Sequence, residues 1–448
     1  MTTQVLPVAR ERPYGLYAIC FGFFLVLLDT TALNVAAASM EREFGSGISG
    51  LQWVVNSYTI VFASLVLTAG AIGDRFGSKR LYQFGLALFS TMSLLCGLAP
   101  NVGALVGFRM LQGVGAAAML PSSLALLRHL FPEARARASA VAFWASIVSL
   151  GFAAGPAIGG LMTYAFGWRS IFFVNVPAGI LALTLIRGYV DETPSTAARH
   201  IDWRGQAIAC LTLSSLTYSL IEAGREGWTS PFILGGFALT ALLALVLAFV
   251  ERRSDSPVLP RHLFGSATFS ACVAAGMVMG FGTYGTLFVV ALRLQNVEHL
   301  SALAAGLAII PFSITPTLTT RALDRLASGM HFKPRLVAGN LIAVAGATIL
   351  VVSLSDAGFG IVEVGLALLG IAVGYITPAM TTGVLASSPA ETSGVASGIL
   401  NAARQVGAAL GVALMGTLVQ TLGERGLLAS FVVMIVSFGT IALVARRT

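Results

Sequence analysis

Apolar residues run along this chain in long unbroken stretches, separated by short segments rich in Gly, Pro, Arg and Asp. Fourteen of these stretches reach the length of about 20 residues that a helix rising 1.5 Å per residue needs to cross a ~30 Å hydrocarbon core. They fall at 15–37, 53–72, 81–99, 102–127, 138–163, 169–186, 204–223, 230–250, 268–292, 302–320, 335–353, 359–379, 393–420 and 427–445. The ten-residue alternation of a transmembrane β-barrel is not the pattern here. The first run has Arg10 and Arg12 before it and small residues, Ala36–Ser39, after it, as a signal peptide would. Its length, the interruption at Asp29 and the runs that follow make it the first span instead. The pattern therefore predicts an all-α polytopic membrane protein with fourteen transmembrane helices.

Composition explains why a soluble fold is excluded. Of 448 residues, 56% are hydrophobic and 10% charged, with a mean hydropathy of +0.85. A soluble domain carries roughly 25% charged residues to meet water. The net charge of +8 would suggest a nucleic acid partner in a soluble protein, but its placement argues otherwise. With the N-terminus inside, 20 of the 27 Lys and Arg residues fall in cytoplasmic segments and five in external ones, while Arg109 and Arg404 lie within spans. The positive-inside rule thus puts both termini in the cytoplasm and supports the count of spans. Cys20, Cys96, Cys210 and Cys272 each sit in an apolar run and read as packed thiols, and the five histidines are scattered at loops and span ends, so no metal cluster is expected.

Two loops are alike in design. Gly70–Arg80 follows the second span, Thr320–Arg335 follows the tenth, and both are short and basic. An offset of eight spans divides the chain into an N-terminus (1–14), a six-helix bundle (15–190), a linker (191–203), an inserted two-helix hairpin (204–250), a second linker (251–267) and a C-terminal six-helix bundle with its tail (268–448). Two six-helix halves with a substrate site between them at mid-depth are a known transporter plan.

Four motifs carry chemistry. In GAIGDRFGSKR, Gly70, Gly73 and Gly77 permit close helix approach and a tight turn, and Asp74 stands beside Arg75, Lys79 and Arg80. Its carboxylate could meet the positive end of another helix, or the segment could be a solvated charged loop. The second-half loop is degraded, with Ser328-Gly329 where an Asp-Arg pair would be expected and Asp324-Arg325 four residues earlier. In RMLQGVGAA, Arg109 lies roughly 10 Å inside the membrane, where an arginine costs at least ~2.5 kcal/mol and calls for a partner. In LDTTALNVA, Asp29 falls roughly 21 Å along the first span, at a similar depth. These two residues, with Gln112 one turn from Arg109, could form a network that takes up and releases a proton; the alternatives are a static ion pair and an arginine bonded to carbonyls. In GFAAGPAIGG, Gly151, Gly155 and Gly159 recur every fourth residue, Gly160 follows, and Pro156 frees a carbonyl, so one face of the fifth span is a stripe for close packing.

On these motifs the chain resembles the major facilitator superfamily along nearly its whole length, and within it the fourteen-span drug:proton antiporters. The segments MPSSLALL, FGWRSIFFVNVP and GVASGILNAARQVGAALG look most like the methylenomycin A resistance type of exporter. The resemblance implies a major facilitator fold and a proton-coupled antiporter that exports small amphiphilic organic molecules by alternating access. It implies proton coupling through Arg109, a gate in which Asp74 works against the helix beginning near Glu391–Gly394 (a capping region on its sequence), and an antiporter signature in the fifth span. Asn34, Trp53, Asn56, Tyr58 and Gln112 become candidate cavity residues, although a membrane-interface belt explains Trp53 equally well. Asn401, Arg404 and Gln405 either face the cavity or stabilise the second half. Glu222 and Glu363, near span ends, read as side chains reaching for water.

No GxxxxGK[ST] loop is present, so an ion gradient rather than ATP is the expected energy source, with no cofactor and no metal. The expected partners are protons, a small-molecule substrate and the lipid bilayer of a bacterial inner membrane, with a monomeric chain and no nucleic acid. The main alternative is a proton-coupled transporter of one specific metabolite. A membrane enzyme would need clustered catalytic residues that the spans lack.

Overall fold

In a computed structural model of the chain, residues 8–193, 202–254, 260–326, 331–355, 359–389 and 392–447 are described. They form sixteen helices. The first half contains α1 (Val8–Phe44), α2 (Gly47–Phe76), α3 (Ser78–Gly97), α4 (Val102–Leu130), α5 (Ala134–Phe166) and α6 (Ser170–Tyr189). A hairpin follows, α7 (Trp203–Glu226) and α8 (Pro231–Arg253), and then a one-turn α9 (Arg261–Phe264). The second half contains α10 (Ala267–Asn296), α11 (Ala302–Ala308), α12 (Ile310–Leu326), α13 (Phe332–Val352), α14 (Phe359–Ala386), α15 (Ser393–Leu422) and α16 (Glu424–Arg447).

Among the described residues, thirteen segments are long and apolar enough to cross a membrane, with α11 and α12 forming one of them. The remaining expected span is α3. It has 20 residues but opens on Ser78, Lys79 and Arg80 and carries Ser90, Thr91 and Ser93, which makes it less apolar than the others. It packs inside the first half against α4 and α6, which buries Ser90 and Ser93 while Thr91 stays exposed.

Within the first half, α1 packs on α5 and α6, and α4 on α2 and α3; within the second, α10 pairs with α15, and α13 with α14 and α16. Lipid supplies no hydrophobic force between helices, so these contacts rely on close approach. A side chain at Gly85 would come within 2.7 Å of the Gly115 carbonyl, and Gly407 and Gly411 let α15 lie directly on the carbonyls of Met277 and Phe281. The hairpin is not peripheral throughout: α7 covers the seam where α2 meets α15, whereas α8 buries only Ile233 and Glu251.

The bundle has two ends. At the near end, Gly15 packs on Tyr189, Val190 and Leu130, and the Ser78 N–H donates to Thr193 Oγ1 at 2.8 Å. At the far end, Arg169 joins Glu43 to the Ala99 carbonyl. The halves are tied together at the far end. Gln52 Nε2 donates to the carbonyls of Val412 (2.8 Å) and Ala413 (2.6 Å), Ser49 Oγ to Gln420 Oε1 (2.9 Å), and Gln295 Nε2 to Val35 O (2.9 Å). Toward the near end α5 loses its partner. Pro156 and Gly160 are buried against α11, but Ser149, Ser146, Ala145 and Ala142, further down the same helical face, are exposed. Phe143 and Leu150 mark a separate, lipid-directed face. Along α2 and α15 the halves stay in contact as far down as Leu67 and Gly398. The space between them therefore opens toward the near end, along α5.

Candidate functional site

Asp29 and Arg109 meet in the first half. Each is 1% exposed, and Arg109 Nη1 lies 2.5 Å from Asp29 Oδ2. The same Nη1 donates to Gln112 Oε1 at 2.8 Å, and Arg109 Nε donates to the Val54 carbonyl at 3.3 Å. The other carboxylate oxygen, Oδ1, accepts from Asn175 Nδ2 at 3.0 Å and from Gln112 Nε2 at 3.3 Å. Asn175 also donates to Ser93 Oγ at 3.0 Å, which in turn donates to the Phe172 carbonyl at 2.9 Å. The guanidinium carbon sits 4.3 Å from the centre of the Tyr58 ring, an arrangement that stabilises a desolvated cation. Five helices converge here: α1, α2, α3, α4 and α6. Removing two charges from water is costly, and only such a dense set of hydrogen bonds offsets it.

The sequence pointed to Asp29, Arg109 and Gln112 and missed Asn175 and Ser93. Asn175 is an amide within the apolar run IFFVNVP, and that interruption was the available signal. Of the other residues predicted near the cavity, Asn34, Asn56 and Tyr58 are buried between helices. Asn34 Nδ2 donates within α1 to Thr30 O, while both polar atoms of Asn56 find no partner among the described residues. Asn401, Arg404 and Gln405 are half-buried, on α15. Trp53 turns toward the hairpin: its Nε1 donates to Glu222 Oε1 at 2.9 Å and its ring lies 6.0 Å from Tyr218. That corrects the reading of Glu222 as a side chain reaching for water. It is 8% exposed, because α7 folds against α2 and presents a donor to it.

The glycine motif fits α5 onto α1 beside the charge pair. A side chain at Gly151 would meet the Phe24 carbonyl at 2.8 Å, one at Gly155 would overlap Thr31, and one at Gly159 would lie 2.7 Å from the Ala32 Cα. Gly160 instead abuts the Ala302 carbonyl at 2.5 Å, and Gly306 of α11 abuts the Pro156 carbonyl. One motif thus forms two interfaces, one within the first half and one between halves.

At the near end, Gly77 adopts φ +97°, a left-handed conformation suited to glycine, and its N–H donates to Gly73 O. The start of α3 is capped from the linker. Glu192 accepts from the N–H groups of Lys79 (2.9 Å) and Arg80 (3.1 Å), and its carboxylate lies 3.7 Å from the Arg80 guanidinium. Lys79 Nζ donates to Arg187 O at 3.3 Å. Gly70 lies beside Pro121 of α4, and Asp74 and Arg75 stand in the last turn of α2. The capping region expected before α15 is partly corrected: Thr392 gives no side-chain cap and its hydroxyl donates back to Pro389 O. Residues 1–7, Ser328-Gly329, Glu391, the side chains of Asp324 and Arg325, and the linker stretches 194–201 and 255–259 lie outside the described residues.

Comparison with known proteins agrees with this architecture. Residues 19–412 match the family model of the Major Facilitator Superfamily. The chain is 35% identical over 408 residues to the multidrug resistance protein Stp of Mycobacterium tuberculosis (strain ATCC 25618 / H37Rv), covering 91% of this chain and 76% of that one. It is 33% identical over 417 residues to the methylenomycin A resistance protein of Streptomyces coelicolor, covering 93% and 88%. Among solved structures, a bacterial homolog of the human lysosomal transporter Spinster, inward-facing and unoccupied, aligns with a TM-score of 0.69 at 16% identity over 98% of both chains. A peptide transporter in complex with sulfate aligns with a TM-score of 0.73 at 14% identity, covering 97% of this chain and 94% of that one.

Proposed function

The chain belongs to the Major Facilitator Superfamily, and from that premise we propose that it is a drug efflux transporter of a bacterial inner membrane, driven by proton antiport. The relatives named for multidrug and methylenomycin A resistance support export of small amphiphilic organic molecules. The single observation that carries proton coupling is the buried Asp29–Arg109 pair, a titratable carboxylate at the meeting point of five helices. The distribution of basic residues supports a cytoplasmic near end. The opening along α5 then faces inward, and the hydrogen bonds of Gln52, Ser49 and Gln295 form the external closure.

In this reading, a proton reaching Asp29 removes its charge. Arg109 keeps Val54 O, Gln112 and the Tyr58 ring but loses its counter-ion. Asp29 stands two residues before Thr31, on which Gly155 packs, so the change is felt at the α1–α5 interface. Through Pro156 and Gly160 the same helix α5 bears on α11 of the other half. Proton occupancy and the relative position of the halves are thereby linked through contiguous packing. The protein acts as a monomer and without a cofactor.

The test is expression in an efflux-deficient strain, with accumulation of a panel of toxic compounds measured with and without a protonophore. Lowered accumulation of at least one compound, reversed by the protonophore and by Asp29→Asn, supports the proposal. Accumulation unchanged across the panel contradicts it.

A further inference from the structure

The second half carries a charge for which no counter-ion is found among the described residues. Arg404 stands eleven residues into α15, about 16 Å along it and so near mid-depth. No hydrogen bond or ion pair reaches its guanidinium among the described residues, and Tyr284 is the group nearest to it electrostatically. Its counterpart Arg109 is enclosed by an acid, an amide, a carbonyl and an aromatic ring. Among the described acids, Asp29 is held by Arg109, Glu298 pairs with Arg293 just beyond the far end of α10, and Glu363 and Glu424 stand at the far ends of α14 and α16. Placing an arginine at this depth costs at least ~2.5 kcal/mol, and a charge kept there without an internal partner marks a ligand pathway.

Its surroundings form an amphiphilic wall. Asn401 and Gln405 lie on the same half-buried stretch of α15, on the arc between its contacts with α10 and its contacts with α2. Gly276 and Gly280 of α10 lie against Leu400 and Arg404, where any side chain would collide, the nearest approach to the Arg404 stem being 3.3 Å at Cγ. Met277, Phe281 and Tyr284 continue along α10, and Phe152 of α5 reaches across from the first half to within 6.2 Å of the Tyr284 ring. A guanidinium beside amides and an aromatic ridge matches one kind of molecule: an apolar body bearing a planar anion.

We propose that Arg404 is the docking cation of the transport cavity and that the substrates of this exporter are amphiphilic organic anions, carboxylates foremost. A guanidinium binds a carboxylate through two parallel N–H donors, and it does so more strongly where water is excluded. Asn401 and Gln405 supply further polar contacts, and the α10 aromatics hold the apolar body. The inference rests on the export reading above and narrows it to a substrate class.

The test uses purified full-length protein in detergent and three probes with one aromatic body: 1-naphthaleneacetate, its methyl ester, and (1-naphthylmethyl)trimethylammonium. Affinity is read by calorimetry for the native protein, Arg404→Gln and Arg404→Lys. Sodium chloride against sodium gluconate forms a separate arm. The expected result is that the native protein binds the carboxylate at least roughly 10-fold more tightly than the ester or the cation, a gap of about 1.4 kcal/mol. Arg404→Gln removes that preference while leaving ester binding unchanged, and Arg404→Lys keeps part of it. Equal affinity for all three probes, no binding of any, or a preference that survives Arg404→Gln overturns the proposal. So does Arg404-dependent binding of chloride with no gain from the carboxylate, which assigns the site to an inorganic ion. The compound-accumulation assay separates the two readings. Export of only neutral and cationic compounds refutes the anion site but leaves export standing, whereas Arg404-dependent carboxylate binding without any export refutes export alone.

Discussion

Replacing Asp29 by Asn removes a charge while almost preserving shape. The native carboxylate accepts from Arg109 at 2.5 Å, Asn175 at 3.0 Å and Gln112 at 3.3 Å. An amide offers one oxygen to those three donors and turns an NH2 group toward the rest. Arg109, 1% exposed, is then a buried cation without its counter-ion. Breaking a buried pair from one side costs about 3–5 kcal/mol. Arg109→Gln should cost a similar amount, since it leaves Asp29 charged with only two amide donors. The double variant buries no charge, so its cost should fall well below the sum of the singles, with a coupling near the upper end of the ~0.5–3 kcal/mol seen for contacting residues. Graded unfolding by SDS in mixed micelles, followed by tryptophan fluorescence, measures all four proteins. Additive costs, or an Asp29→Asn variant within about 0.5 kcal/mol of the native protein, would show that the pair does not act as a unit.

Four further outcomes follow from single positions. Gly159→Ala places a methyl 2.7 Å from Ala32 Cα and 2.8 Å from its carbonyl, backbone atoms that cannot rotate away, so it should destabilise by about 1–3 kcal/mol. Gly188→Ala meets nothing within 4 Å in a helix and should stabilise by a few tenths to ~1 kcal/mol; the same unfolding assay reports whether the two signs differ. Glu192→Ala uncovers the first N–H groups of α3 at a cost of roughly 0.5–2 kcal/mol, and amide exchange at Lys79 and Arg80 should accelerate while exchange in the middle of α3 stays unchanged. Gly155→Leu, which collides with Thr31, should insert normally yet fail to transport; full transport would mean that α1 and α5 do not need this close fit.

The charge pair could be read from the sequence because charge is rare in apolar runs. Asp29 and Arg109 stand out, and counting 1.5 Å per residue along oppositely directed helices puts them at one level. The glycine stripe was visible for a similar reason, since its four-residue period on one face has few other uses. Asn175 and Ser93 were hidden because uncharged polar residues occur throughout spans, bonded to their own helix, and no local pattern says which ones turn toward a neighbour. Glu222 was misread because depth alone does not reveal that α7 lies over Trp53; that contact joins residues 169 positions apart. Glu192 and Thr193 looked like a plain linker, yet they cap α3, and capping by a distant segment leaves no mark on the sequence of the helix it caps. Part of the lesser apolarity of α3 has a similar origin: Ser90 and Ser93 are buried against its neighbours, and Ser93 donates to the Phe172 carbonyl of α6.

In the proposed antiport, movement of an organic substrate one way is tied to movement of a proton the other way through Asp29. The most direct measurement uses the purified protein in liposomes with a pH-sensitive dye inside, challenged with gradients of neutral, anionic and cationic amphiphiles. The native protein should move protons against at least one of these gradients. Asp29→Asn should abolish that proton movement while still exchanging labelled for unlabelled compound across the membrane. Native-like proton movement by Asp29→Asn, or substrate transport by the native protein with no proton movement, would contradict the account.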